Sequence, residues 1–254
     1  MNIVRMGIFA AVSALTLSAN LVACSSDDTT TADAGPAAQP GTVNTQNAKS
    51  SSTTYVGGIS QAVDKNQGQS ALGQLIAGAQ QAQGIVTPSA GGGTAPRTAN
   101  VRLADAIGQV SQAITSCDDA CTGTTCTFKS CGSDEGGTGI VIDGTLSWTG
   151  GNLKCVGLTY AITQTGGTKT TITLDCDVTA TASSLKGTIK STGATTLTAA
   201  QAGAGAGEVK WSSDTTFNDV KYANGKPTSG SVKVSATYSV AGQAYSGSAE
   251  VTFP

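Results

Sequence analysis

The chain has 254 residues, of which only 12% are charged and 4% aromatic, against a usual charged share of about 25%. The formal charge is −2 with no basic stripe, so the electrostatic footprint of a nucleic-acid binder is missing. Histidine is absent altogether, which excludes Ser-His-Asp and Cys-His catalysis and His-ligated zinc, iron or copper.

The chain opens with a short stretch carrying Arg5, followed by an apolar run from Met6 to Leu17. A membrane-spanning helix needs about 20 apolar residues, so residues 1–23 read as a signal peptide. The run ends in Leu21-Val22-Ala23-Cys24. This resembles the lipobox of bacterial lipoproteins: Leu at −3, a tolerated residue at −2, a small residue at −1, then an invariant Cys. The resemblance covers about the first tenth of the chain. It implies that Cys24 becomes the acylated N-terminus, so the membrane is a partner through its lipid. It also implies an envelope location, and Ser25 resembles the sorting pattern for the outer membrane. Two or more acyl chains hold a protein firmly, whereas one binds marginally. Loss of Arg5 with the signal moves the formal charge of the mature part to −3.

Residues 24–54 read as the lipidated cysteine and a disordered tether. Ser, Thr, Ala, Asp, Gln and Asn predominate there, and such a stretch buries too little to offset its chain entropy. Residues 55–98 read as a weak helix and a Gly/Pro-rich linker. Leu72, Leu75, Ile76 and Ala79 fall on one helical face, at i, i+3, i+4 and i+7. The linker includes Gly91-Gly92-Gly93. Residues 99–254 read as a helix plus a disulfide-stapled antiparallel sheet. Leu103, Ile107, Val110 and Ile114 form the helix stripe, extended by Cys117 and Cys121.

From Gly137 onward the period changes to two. Val232, Val234, Ala236, Tyr238 and Val240 alternate with polar residues, and after Ala241-Gly242 so do Tyr245, Ala249, Val251 and Phe253. A two-residue loop pairs Tyr238 with Tyr245 and Val232 with Val251, with all the apolar residues on one face. A second hairpin joins 154–164 to 169–179 through Thr165-Gly166-Gly167-Thr168. A strict Gly-Gly loop would set Leu158, Tyr160 and Ile162 on the opposite face from Ile172, Leu174 and Cys176. A shift of one residue, or a bulge, aligns them. Further strands are expected at 139–148, 184–191 and either 208–212 or 216–222. The fold expected is α+β, with two N-terminal helices packed on an antiparallel meander of about seven strands. The alternative is a mostly-β barrel or sandwich with peripheral helices.

Six cysteines follow Cys24: Cys117, Cys121, Cys126, Cys131, Cys155 and Cys176. An even number in an exported protein reads as a disulfide framework, whose pairing spacing does not decide. The first four have C-x3-C-x4-C-x4-C spacing, without the tight C-x2-C knuckles of a zinc site. No metal and no cofactor is expected.

Four constellations bear on chemistry. Ser183-Ser184-Leu185-Lys186 matches S-x-x-K, but the S-D-N and K-T-G companions are missing, and the surroundings alternate like a strand instead of opening a helix. Asp175 and Asp177 flank Cys176 and share a strand face, about 7 Å apart. That suits an inverting carboxylate pair or a calcium ion. It suits equally a solvent-facing pair beside Lys154 or Lys169. Asp118-Asp119 and Asp134-Glu135 are loop carboxylates. Trp148 and Trp211 suit core filling better than stacking on a sugar. No catalytic residue is expected. The reading is a lipid-anchored envelope protein that binds an apolar ligand or an envelope protein. The alternatives are a structural or surface-display lipoprotein and an exported carboxylate-dependent hydrolase.

Overall fold

Two short strands, β1 (Gln39–Pro40) and β2 (Thr42–Val43), lead into helix α1 (Thr45–Asp64). Asn44 starts the helix: its Oδ1 accepts the Asn47 backbone N–H at 3.1 Å, a capping bond that occupies a donor left over at a helix N-terminus. Helix α2 (Gly68–Ala82) runs back along α1 and ends in β3 (Val86–Thr87), which pairs with β2. The structure, a computed structural model, describes residues 38–64, 68–88, 117, 120–133, 139–163, 168–196 and 207–254. All of them belong to one unit, Pro36–Pro254.

The buried face of α1 carries Ala48, Ser51, Ser52, Tyr55, Val56, Ile59, Ser60 and Ala62, a helical stripe in which three positions are serine. Burial of a hydroxyl is tolerated only when it is bonded. Ser52 Oγ donates to the Ala48 carbonyl at 2.7 Å and Ser51 Oγ to the Gly78 carbonyl at 2.8 Å. The expected tether therefore ends earlier than residue 54: helix begins at Thr45, because serine replaces large apolar residues on the packed face. The helices approach closely where side chains are small. A Cβ at Gly58 would lie 3.2 Å from the Ala71 carbonyl oxygen, and one at Gly78 would lie 2.7 Å from the Tyr55 ring.

The rest is β4 (Cys121–Thr122), β5 (Thr125–Ser133), β6 (Gly139–Thr149), β7 (Asn152–Thr163), β8 (Lys169–Ala180), β9 (Ser184–Thr196), β10 (Glu208–Ala223), β11 (Lys226–Val240) and β12 (Gln243–Phe253). These form an antiparallel meander in chain order, and β1 adds in parallel to β12, making one ten-stranded sheet. Strands take 66% of the described residues, so the fold is mostly β with one helical hairpin. The expected α+β fold with a meander of about seven strands is corrected accordingly; the mostly-β alternative lies closer. The three added strands are β1 and β4, each two residues long, and β5, which was hidden by its cysteines and a bulge at Ser130; the alternatives 208–212 and 216–222 are both parts of one strand, β10. The expected helix at 100–117 falls almost wholly outside the described residues, as do Cys24 and most of the 88–96 linker.

Side chains pointing inward on β6–β12 are buried and meet the helical hairpin; those pointing outward are mostly polar, Val156 being an exception. The C-terminal hairpin has Tyr238 opposite Tyr245 and Val232 opposite Val251. In the second hairpin Thr163 faces Lys169, one residue out of register with a strict Gly-Gly loop, and Leu158 and Leu174 face each other on the buried side. Bulges interrupt β5–β6, β6–β7, β7–β8, β9–β10 and β10–β11. Each adds local twist and bend, which lets strands from β6 to β12 all reach the two helices. At one of them Gly187 has φ +132°, and a Cβ there would run into the Asp177 carbonyl.

The β11–β12 turn has both central residues at positive φ, Ala241 at 51° and Gly242 at 77°, the conformation matching strand twist. Alanine is ill suited to it, because its Cβ crowds the carbonyl there. Ala241 is exposed, so Ala241→Asn is expected to raise stability by ~0.5–1 kcal/mol, read as a higher urea midpoint with unchanged slope.

Candidate functional site

The register places inward side chains in rows across the sheet. One row is Tyr160, Ile172, Gly193, Trp211, Tyr238 and Tyr245; the next is Leu158, Leu174, Ser191, Ser213, Ala236 and Gly247. A third begins with the Cys155–Cys176 bridge and continues through Ile189 to Thr215. The centre, on β9 and β10, is thus built of glycine and hydroxyl residues where its surroundings are aliphatic and aromatic. Trp211 fills the space above Gly193, lying where a Cβ on that residue would be. Tyr55 of α1 enters beside it, wholly buried.

This centre is polar and neutral. Ser191 and Ser213 hydroxyls hydrogen-bond at 2.8 Å, and Thr170 and Thr195 do so at 3.0 Å in the adjoining row. Burial pushes the Tyr55 phenol well above its ordinary range, opposed only weakly by the Ser191 and Ser51 hydroxyls beside it. Neither reaches its Oη with hydrogen-bond geometry. Burial likewise raises the Tyr160 phenol. Both phenols therefore stay protonated and neutral at ordinary pH. Sequence reasoning passed over Tyr55, Ser191, Ser213 and Thr215. The available signal was hydroxyl residues at inward positions of otherwise alternating strands.

The outer face is different. Thr159, Thr173, Thr192, Ser212, Thr237 and Ser246 stand opposite one another across β7–β12. Thr159 bonds Thr173 at 3.2 Å and Ser212 bonds Thr237 at 2.8 Å. Next to this row lies an open depression of about 300 Å³, lined by Thr171, Thr173, Thr192, Gly193, Ala194, Lys210 and Trp211. It sits at the lower end of ligand-site volumes, which run from about 300 Å³. Its lining holds no carboxylate or thiol, and the Lys210 ammonium lies 3.0 Å from Glu208.

Asp175 and Asp177 are exposed on this outer face. Asp177 faces Lys154, 3.8 Å away. Asp175 faces Lys190, and its Oδ1 accepts the Gly157 backbone N–H at 2.8 Å. Asp143 does the same service at the neighbouring bulge, accepting the Ser130 N–H at 2.6 Å. The aspartates therefore balance cross-strand lysines and close bulges; the neighbours are Lys154 and Lys190, with Lys169 at the far end of β8. Ser184 and Lys186 lie at the start of β9, not on a helix. Trp148 and Trp211 are buried. Asp118, Asp119, Asp134 and Glu135 lie outside the described residues. Among the described residues no group of three metal-ligating side chains gathers.

Four cysteines form two bridges, Cys121–Cys126 and Cys155–Cys176. Each joins residues directly opposite on adjacent strands, the arrangement with Cβ atoms close enough to bridge. Cys117, buried, and Cys131, half-buried, stand outside them. The six-cysteine framework is thus represented by two bridges, because Cys131 sits past the Ser130 bulge opposite Ile142. Bridging of Cys121 with Cys126 also takes two thiolates from the four a zinc site would use.

No protein-family model, curated protein or solved structure matches the chain.

Proposed function

We propose that the chain is a lipid-anchored protein of the cell envelope that works by binding and not by catalysis. The observation carrying this reading is Leu21-Val22-Ala23-Cys24 at the end of a short apolar run. Strand-to-strand disulfides in the body fit an oxidising compartment. Of the two ligand classes, an envelope protein is favoured over an apolar molecule. The large inward side chains of β6–β12 are already packed against one another and the hairpin. The outer face offers hydroxyls and paired charges with Val156 the single exposed large hydrophobic among the described residues. Such a surface suits a polar, wet protein contact.

Metabolic labelling with a palmitate analogue tests the anchor. The full chain is expected to take up label and sediment with membranes, and an inhibitor of the lipoprotein signal peptidase should leave a heavier labelled form. Cys24→Ala should lose all label and leave the membrane or stay uncleaved. Undiminished label in Cys24→Ala would sink the proposal. Cross-linking in cells then seeks the protein partner, and a lipid mass carried by the purified protein would favour the apolar ligand instead.

A further inference from the structure

We propose that the β12 edge of the sheet is a strand-addition site, taking an extended segment of another protein with Lys or Arg set opposite Glu250; this rests on the protein-binding reading above and gives it a place. The sheet order ends in β1, which pairs only with Tyr245 and Ser246 of β12. The chain then leaves the edge at Gly41 and enters β2, whose Val43 side chain lies where a Cβ on Gly247 would be, on the inner face. Among the described residues no strand covers β12 over 248–253.

Register decides which backbone groups point out of that edge. Opposed residues of an antiparallel pair alternate between those that exchange both hydrogen bonds and those that exchange none. The Ala241-Gly242 turn closes on Val240 and Gln243, the bonded pair of a two-residue hairpin. Counting by two, Tyr245, Gly247, Ala249, Val251 and Phe253 turn their N–H and C=O to β11. Ser246, Ser248, Glu250 and Thr252 turn theirs to the edge. The β1 contact has the same phase: the Gly41 N–H donates to the Ser246 carbonyl at 2.9 Å. Ser248, Glu250 and Thr252 therefore present three donors and three acceptors, repeating about every 7 Å, the template a bare edge offers to another chain. The opposite edge is guarded. Beyond its short β4 cover, β5 carries exposed Lys129 and the Ser130 bulge, two devices that discourage pairing. β12 instead pairs with β11 without a register shift, and its one charge is Glu250.

The sequence of β12 selects the occupant. An antiparallel strand must set its own edge-facing residues opposite Ser248, Glu250 and Thr252. A second copy of β12 in the register that uses all three would put Glu250 opposite Glu250, and like charges directly opposite destabilise a pair. Sliding it by two residues one way brings Pro254, which has no N–H, opposite Ser248. Sliding it the other way brings Ser246, already bonded by Gly41, opposite Thr252. A foreign segment escapes all three conflicts. Lys or Arg opposite Glu250 would repeat across the edge the pairing that Lys233 makes from β11, and opposite charges so placed stabilise. Its flanking residues would stand opposite Ala249 and Val251, on the side where Val251 is buried, so they should be apolar. In strand addition the main chain supplies affinity and alternate side chains supply specificity.

The test reads amide hydrogen exchange by NMR on the full mature chain. The probe is a peptide copying residues 230–236, Gly-Ser-Val-Lys-Val-Ser-Ala, which carries Lys between two valines. In the free protein the Ser248, Glu250 and Thr252 amides should exchange at least about tenfold faster than those of Ala249 and Val251, which bond β11. Millimolar peptide should slow those three amides about tenfold. The peptide with Glu in place of Lys should bind about fivefold more weakly, and Glu250→Lys should reverse that order. Slow exchange at the three amides in the free monomer would overturn the proposal, as would amides that the peptide leaves unchanged. Protection that grows with protein concentration alone would also overturn it, by making a second copy the occupant. The wild-type measurements need no variant, so they decide even where Glu250→Lys fails to fold. Cross-links to a protein in cells without any edge protection would place the partner elsewhere and leave the anchored-binding reading standing.

Discussion

Gly193→Val is expected to destabilise the fold by about 3 kcal/mol, and Gly193→Ala by about 1–2 kcal/mol, as overpacking of a close-packed core does. The cause is local. Gly193 faces Trp211 across the β9–β10 pair, and the indole occupies the position its Cβ would take. A valine there must displace an indole that is 4% exposed and has buried neighbours on every side. With a total stability of about 5–15 kcal/mol for an ordinary domain, that is a large fraction. A double-mutant cycle identifies the indole as the obstacle. Trp211→Leu vacates the space, so Gly193→Ala in that background should cost about 1 kcal/mol less than in the wild type, a coupling typical of residues in contact. Urea unfolding of the four proteins reads it. Additive losses would mean that the strain falls on the backbone and not on Trp211.

The same residue explains how far the fold could be read in advance. Alternation with period two is a statement about faces, and the C-terminal hairpin had it without interruption, so both strands, their turn and the Tyr238–Tyr245 register were legible. Where inward positions hold small or hydroxyl residues the signal fades. Ser191, Gly193 and Ser213 look solvent-facing by type, and β9 and β10 are correspondingly longer than expected, at Ser184–Thr196 and Glu208–Ala223. Bulges add a second obstacle: one extra residue at Ser130 reverses the apparent face, so Cys126 and Phe128 fall out of phase with Cys131. Helix α1 was lost for the first reason alone, since Ser51 and Ser52 sit where leucines are usual.

Of the chemistry, the bland readings were the legible ones. Asp175 and Asp177 alternate around a buried cysteine, and that pattern already implied an outward pair meeting lysines on the neighbouring strands. The hydroxyl cluster under Tyr55 was not legible, because it takes one residue from a helix and three from two strands more than a hundred positions later. Only register brings those together. Rows of threonine on the outer face have the same origin: they are scattered in the sequence and become an array through pairing.

The larger of the two disulfide effects is expected at Cys155–Cys176. The bridge closes a sequence separation of 21 residues, against 5 for Cys121–Cys126. Chain-entropy reasoning then assigns it about 3 kcal/mol, and about 2 kcal/mol to the shorter one, by constraint of the unfolded state. Position widens the gap. Cys155 and Cys176 are 4% and 5% exposed and lie in an inward row between Leu146 and Ile189, so losing the bridge also disturbs packing. The shorter bridge sits at the end of the sheet, in the hairpin of β4 and β5. Replacing Cys155 and Cys176 together by alanine should therefore lower the unfolding free energy by about 3–5 kcal/mol, the range for native bridges, with the denaturant slope rising as the unfolded chain expands. Cys121→Ala with Cys126→Ala should cost about 2 kcal/mol. Access predicts an order of reduction as well: Cys126 is fully buried, but its partner Cys121 is half-exposed at the sheet edge, so the Cys121–Cys126 bridge should yield to a mild reductant under native conditions while Cys155–Cys176, with both sulfurs buried, survives until the sheet opens. Alkylation of released thiols followed by peptide mass mapping reads that order. Equal reduction of both bridges in the folded protein would show that the β7–β8 pair opens locally, which its place in the middle of the sheet forbids.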